Sequence, residues 1–192
     1  MYSIFLFCEY VQSRAIIPLM KQLRDGEVTR FNRAVKRDLK EKKDIVLVLF
    51  SVDYQANLGM IFRLADALNV TKLYLTGGMR DLGGNIFNKV SRHKEAYVPW
   101  ERAEDIGPVL GSLKKEGYTI VGVEITDQSV RYDMYQWPDK VALVLGNEGH
   151  GIPNKILDLC DTSVYIPMLG EGGSLNVAVA ASIVGYTALI SH

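Results

Sequence analysis

The stretch GEGGSLNVAVAASIVGY (170–186) sets two polar side chains, Ser174 and Asn176, between a glycine loop and a run free of charge. Two readings of that pair stand. In the first, Ser174 caps a helix N-terminus and Asn176 is tolerated in the first turn. In the second, loop and helix mouth hold a ligand that Ser174 and Asn176 face. Glu148 lies between Gly146 and Gly149 in KVALVLGNEG (140–149), where it can steady its loop by accepting backbone N–H bonds. Arg63 is a nearby cation, with Asp66 three residues on as an alternative surface partner. Uncharged donors and acceptors, one cation and one carboxylate around glycine backbone suit a small polar ligand held by main-chain groups.

Other chemistries lack their residues. There is no G-x-x-x-x-G-K-[ST] for a nucleoside triphosphate, and no G-x-G-x-x-G after the first strand for a dinucleotide. His93, His150 and His192 are scattered and no Cys/His spacing fits zinc, so no metal is expected. Ser174 is outside any G-x-S-x-G elbow, which disfavours a Ser–His–acid hydrolase.

The elements that must position these groups alternate along the chain. Residues 10–43 space apolar positions among Lys and Arg as a helix does, with a break near Asp25 and Gly26. DIVLVLF (44–50) is apolar throughout, the mark of a strand buried on both faces. Leu58, Ile61, Phe62, Ala65 and Leu68 then recur at helical spacing, and Asn69 is a C-terminal stop. TKLYLTGG (71–78) reads as a strand with a glycine turn, and ERAEDIGPVLGSLKKEGY (101–118) carries a second helix. YTIVGVEIT (118–126), residues 140–149 and SVYIPM (163–168) supply further strands before a last helix over 175–190. This alternation predicts an α/β fold, a mostly parallel sheet with helices on both faces. Ligands of such sheets bind at the carboxyl ends of strands, where the loops SVDYQAN, TGG, GNEGHG and MLGEGGSLN all fall. The last helix is apolar on every side and rich in small residues. One face can pack on the sheet, and a second subunit is the simplest cover for the other, which predicts a homodimer.

The 192 residues, 48% hydrophobic and 23% charged, fit one domain with a short appendage. Residues 1–43 form the appendage, a basic helical extension, and 44–192 the domain. Net charge is zero, yet residues 14–43 hold ten Lys or Arg against four acids, which points either to a polyanion partner or to a solvated helix face. Cys8 and Cys160 form no framework, in keeping with a reducing, cytoplasmic setting. The opening MYSIFLFCEY lacks the basic start of a signal peptide, and the apolar stretch at 175–190 falls short of the roughly 20 residues of a membrane span. No membrane association is expected.

Three segments together resemble the SpoU/TrmH-type RNA ribose methyltransferases of the SPOUT superfamily. NLGMIFR (57–63) is similar to that family's N-x-G-x-x-x-R motif, LVLGNEGHGI (143–152) to its second motif, and IPM (166–168) with SLNVAVA (174–180) to its third. The resemblance implies a C-terminal trefoil knot, an exception to the rarity of knots, and a homodimer with the active site near the subunit interface. It implies S-adenosylmethionine as cofactor, held by Leu145, Gly146, Asn147, Glu148 and Gly149, by Ile166, Pro167 and Met168, and by Ser174 and Leu175, with Gly77 and Gly78 as further lining. The implied reaction moves a methyl group to a ribose 2′-hydroxyl of tRNA or rRNA, with Asn57, Arg63, Glu148, Ser174 and Asn176 as the polar set at the reacting centre. Arg63 is the family's usual candidate for the base, but a guanidinium holds its proton tightly. Gripping a phosphate or ribose oxygen suits it better. Segment 14–43 would hold RNA backbone. A non-catalytic RNA-binding or assembly protein, or transfer to a base nitrogen, are the competing readings.

Overall fold

The computed structural model describes residues 21–38, 43–79 and 81–191. The chain divides into two compact units, Met1–Glu41 and Lys42–His192. In the first, helix α1 (Gly26–Asp38) follows Asp25, whose φ of 43° breaks the chain where the sequence signalled. Glu27 in its first turn and Lys36 and Arg37 in its last complement the helix dipole. Residues 21–24 are not helical, and the rest of the helix expected over 10–43 lies outside the described residues, as does the opening MYSIFLFCEY.

The second unit alternates strands and helices. In order come β1 (Asp44–Phe50), α2 (Gln55–Leu68), β2 (Lys72–Thr76), α3 (Gly84–Ser91), β3 (Trp100–Ala103), α4 (Ile106–Lys115) and β4 (Thr119–Val123). Then follow β5 (Val130–Arg131), β6 (Lys140–Leu145), α5 (Asn154–Leu157), β7 (Thr162–Tyr165) and α6 (Val177–Ile190). The seven strands form one parallel sheet in the order β3-β2-β1-β6-β4-β7-β5. β1 and β6 sit at its centre, paired Leu47 to Leu143 and Leu49 to Leu145, which is why both read as unbroken apolar runs.

Alternate residues of those strands feed two cores. On one face Ile45, Leu47, Leu49 and Leu143 pack under Leu58, Ile61, Phe62 and Leu68 of α2 and Ala181, Val184 and Ala188 of α6. On the other, Val46, Val48, Ala142 and Val144 meet Ile106, Leu110 and Leu113 of α4 and Ile156 of α5. Gly59 lets α2 approach α3, since a Cβ there would lie 2.9 Å from the Val90 Cβ. Asn69 ends α2 as the sequence indicated, in the left-handed region with its N–H returned to Ala65 and Asp66.

The helix expected within 101–118 is α4, which starts after Asp105; that residue caps it by accepting the Gly107 N–H at 3.0 Å. Other local features differ from the sequence pattern, beginning with β3, which takes the first residues of that stretch and lies along the sheet edge beside β2. Because β3 is mostly exposed, it carries no apolar run that would mark it. The eight-residue α3 and the two-residue β5 escaped the pattern altogether. β7 stops at Tyr165, before the proline. The last helix starts at Val177 rather than 175. Among the described residues no helix is long and apolar enough to cross a membrane.

α2 leaves β1 toward one face of the sheet and α5 follows β6 on the other. The loops after these neighbouring strands therefore part, and a crevice opens at their carboxyl ends.

Candidate active site

Three segments meet at this crevice through one chain of hydrogen bonds. Asn176 is the N-cap of α6: its Oδ1 accepts the Ala178 N–H at 3.0 Å and the Val179 N–H at 3.3 Å. With its oxygen committed to the helix, its Nδ2 donates to Asn57 Oδ1 at 2.9 Å. Asn57 Nδ2 in turn donates to Glu148 Oε1 at 2.7 Å. The Glu148 carboxylate also accepts the Asp53 and Tyr54 N–H groups, each at 3.3 Å, at the turn between β1 and α2. The direction of every bond follows from the cap, which fixes both amide orientations. Asn57 is only 6% exposed, so an unmade bond here would leave a buried amide without water.

Two sequence readings change accordingly. Ser174 is not the cap: the helix begins three residues after it, and the shorter reach from Asn176 wins. Glu148 does not steady its own loop; it steadies the turn that opens α2. The β6 loop is held by Asn147 instead. Its Nδ2 donates to the Ser51 carbonyl at 2.7 Å, and its Oδ1 accepts from the Gly149 and His150 amides. Asn147 and Gly151 also exchange both backbone bonds, which closes the loop into a ring. Gly146 is forced by that closure, because a Cβ on it would lie 2.3 Å from the Gly151 carbonyl carbon.

Beside the relay lies a cleft of about 590 Å³, within the range of small-molecule sites. Leu145 to Gly149, Ile166, Met168, Ser174, Leu175 and Asn176 line it as expected from the sequence. Gly77, Gly78, Pro167, Asn57 and Arg63 do not. Arg63 is exposed on α2 and bonds to none of the described residues; Asp66, its alternative partner, pairs with Lys94 at 2.8 Å. The cleft also draws on residues not singled out from the sequence: Glu124, Thr126 and Asp127 after β4, and Tyr165 on β7. The strand-end rule applied to β4 would have found the first three. The charged lining is acidic, from Glu124, Asp127 and Glu148, with no Lys or Arg among the described residues.

The second wall differs. No hydrogen bond holds residues 167–175 to the described residues, and Leu169 is 99% exposed. Around Gly170 and Gly173 an added Cβ would meet nothing within 4 Å. Beyond this loop, Val179, Tyr186 and Ile190 leave an apolar flank of α6 open, at 44%, 45% and 57% exposure.

A parallel sheet with a cleft and a side-chain relay at its strand ends defines an α/β protein of the class that holds ligands at the carboxyl ends of its strands. A profile of the SpoU rRNA methylase family matches residues 44–186, and the chain belongs to that family. It is 31% identical over 158 residues to the Saccharomyces cerevisiae tRNA (guanosine(18)-2′-O)-methyltransferase, a match that covers 81% of this chain but 11% of that much longer relative. The A. aeolicus TrmH/SpoU tRNA modifying enzyme superposes with a TM-score of 0.69 at 28% identity, covering 83% of this chain and 82% of that one. The SpoU methyltransferase AviRb from Streptomyces viridochromogenes, in complex with AdoMet, gives 0.70 at 26% identity over 77% of this chain and 57% of its own.

Proposed function

We propose that the cleft binds S-adenosylmethionine and that the protein transfers its methyl group to a ribose 2′-hydroxyl of tRNA or rRNA. The observation that carries this reading is the Asn176–Asn57–Glu148 relay, which ties the three motif segments together beside the cleft. The AdoMet bound by AviRb supports the cofactor, and the name of the yeast relative supports a ribose acceptor. The lining fits the group: backbone from Leu145 to Gly149 and Ile166 to hold it, free space beside Gly173, and carboxylates rather than cations around it. When bound, S-adenosylmethionine supplies an electrophilic methyl group on a sulfonium.

The protein's part is to hold a ribose hydroxyl in line with that methyl, and fixed geometry of this sort lowers a barrier by several kcal/mol. The relay's bonds run between its own members and the loops they join, so Asn57, Asn176 and Glu148 act first by fixing those loops at the reacting centre. Ser174, exposed and without a hydrogen bond to the described residues, stands open to cofactor or ribose. Arg63 grips a phosphate or ribose oxygen and steadies the charge that grows as the hydroxyl loses its proton. The exposed Arg30, Arg33 and Arg37 of α1, within the basic extension 1–43, hold RNA backbone. A second copy covers the apolar flank of α6 and the exposed Leu169, and the C-terminal part of the chain is threaded as a trefoil knot. The protein acts in the cytoplasm.

Single-turnover transfer of labelled methyl to RNA tests the reading. The wild type should transfer label to ribose. Arg63→Ala should be slower by about a hundredfold or more, the scale of a lost oxyanion donor. If Arg63→Lys binds RNA and cofactor normally and keeps the full rate, guanidinium geometry has no special role. Absence of any transfer would favour a binding protein on this scaffold, and label on a base would move the acceptor. A single species of monomer mass across micromolar concentrations in sedimentation would rule out the dimer.

A further inference from the structure

We infer that Glu124 reads the ribose of the bound cofactor, its carboxylate accepting hydrogen bonds from the two neighbouring ribose hydroxyls while it braces the loop at residues 147–152. The inference rests on the proposed binding of S-adenosylmethionine. Glu124 stands one residue beyond β4, its own N–H donated to the Val164 carbonyl of β7 at 3.0 Å. Its Oε2 accepts the Ile152 N–H at 2.9 Å and its Oε1 the Ile125 N–H at 2.9 Å. Gly151 makes room for this: its φ is 63°, and a Cβ there would lie 2.3 Å from Oε2. The carboxylate thus occupies the space that a side chain at 151 would have filled.

A carboxylate oxygen accepts two hydrogen bonds, so each oxygen of Glu124 keeps one free site. No Lys, Arg or His among the described residues pairs with it. Two amides already answer part of its charge. What remains is a pair of adjacent acceptors on the wall of the cleft, a pattern that two adjacent hydroxyl donors satisfy together. A single ammonium would need only one of them. Position agrees. The relay lies at the ends of β1 and β6, while Glu124 is at the end of β4, two strands along from β1. With strands about 4.8 Å apart, Glu124 lies one strand from the β6 end of the relay and two, roughly 10 Å across the sheet, from its β1 end. The reacting methyl belongs at the relay, so the far end of the cleft is left to the nucleoside.

Calorimetric binding to the full chain tests this without turnover, with S-adenosylhomocysteine, its 2′-deoxy and 3′-deoxy counterparts, and 5′-methylthioadenosine as probes. The wild type should bind the deoxy compounds about tenfold or more weakly, the scale of a hydrogen bond to a charged group. Glu124→Ala should bind S-adenosylhomocysteine about as weakly as the wild type binds the deoxy compounds, and should not tell them apart. Glu124→Gln, which keeps shape and one acceptor, should lose part of the discrimination; it replaces the alanine variant if that one does not fold. Full discrimination by the variants, none by the wild type, or a loss at Glu124 seen only with probes carrying the amino-acid tail would each overturn the inference. If the wild type binds none of the four probes, the cofactor reading fails as well.

Discussion

The two loops that wall the cleft are both rich in glycine, but for opposite reasons. In the loop after β6 the glycines serve the protein: Gly146 admits the Gly151 carbonyl, and Asn147 closes the ring with amide, carbonyl and side chain. In the loop before α6, a Cβ added at Gly170 or Gly173 would meet nothing within 4 Å, and no hydrogen bond fixes residues 167–175 to the described residues. One wall is built before any ligand arrives. The other has room that the folded chain does not use, which is what a bound nucleoside or a second subunit would fill.

The largest effect should come from the built wall. In Gly146→Ala the new Cβ faces backbone at 2.3–2.6 Å, and backbone cannot swing aside. A stability loss of about 2–3 kcal/mol in urea unfolding, with cofactor binding abolished, is expected. A change below about 0.5 kcal/mol would show the ring to be soft.

The relay should respond next. Asn176→Ala removes cap and donor together and should cost about 1–2 kcal/mol. Asn176→Asp keeps the capping oxygen but turns an acceptor toward Asn57 Oδ1 where a donor stood. It should recover most of the lost stability yet transfer methyl no better than the alanine variant. Equal recovery of both would reduce the relay to a helix cap.

Exchange of backbone amides separates the walls without mutation. The Gly151 and Ile152 amides are bonded and should be protected, whereas residues 168–175 should exchange freely. Adding S-adenosylmethionine should slow the second set and leave the first almost unchanged. The smallest effect is expected for Gly170→Ala, within about 0.5 kcal/mol of the wild type in stability. Any loss of transfer there, measured at saturating RNA, would report what approaches the loop from outside.

The sequence spoke clearly where a residue's surroundings are its neighbours in the chain. The apolar runs of β1 and β6 disclose their place at the centre of the sheet, and Asn69 its left-handed stop. Ser174, Asn176, Arg63 and Glu148 stand out by type and by the glycine loops around them, whereas Asn57 comes only with the family resemblance. Their division of labour does not stand out, because it depends on partners far along the chain. Whether Ser174 or Asn176 caps α6 turns on a helix start shifted by two residues, and Glu148 finds its amides at Asp53 and Tyr54. β3 stayed hidden because an exposed edge strand need not be apolar. Glu124 has no glycine in its loop to mark it, and only its place at the end of β4 points to it.

The bonds that join Asn57 to Glu148 and to Asn176 span 91 and 119 residues of sequence. Contacts that distant form late, after the strands between them have been ordered. During synthesis or refolding, α2 can therefore take shape well before its asparagine has anything to hold. The site is assembled only when α6, the last of the helices, docks. On the proposed function, a partly folded chain lacks the seat for the methyl donor until α6 docks, so methyl transfer would report complete folding.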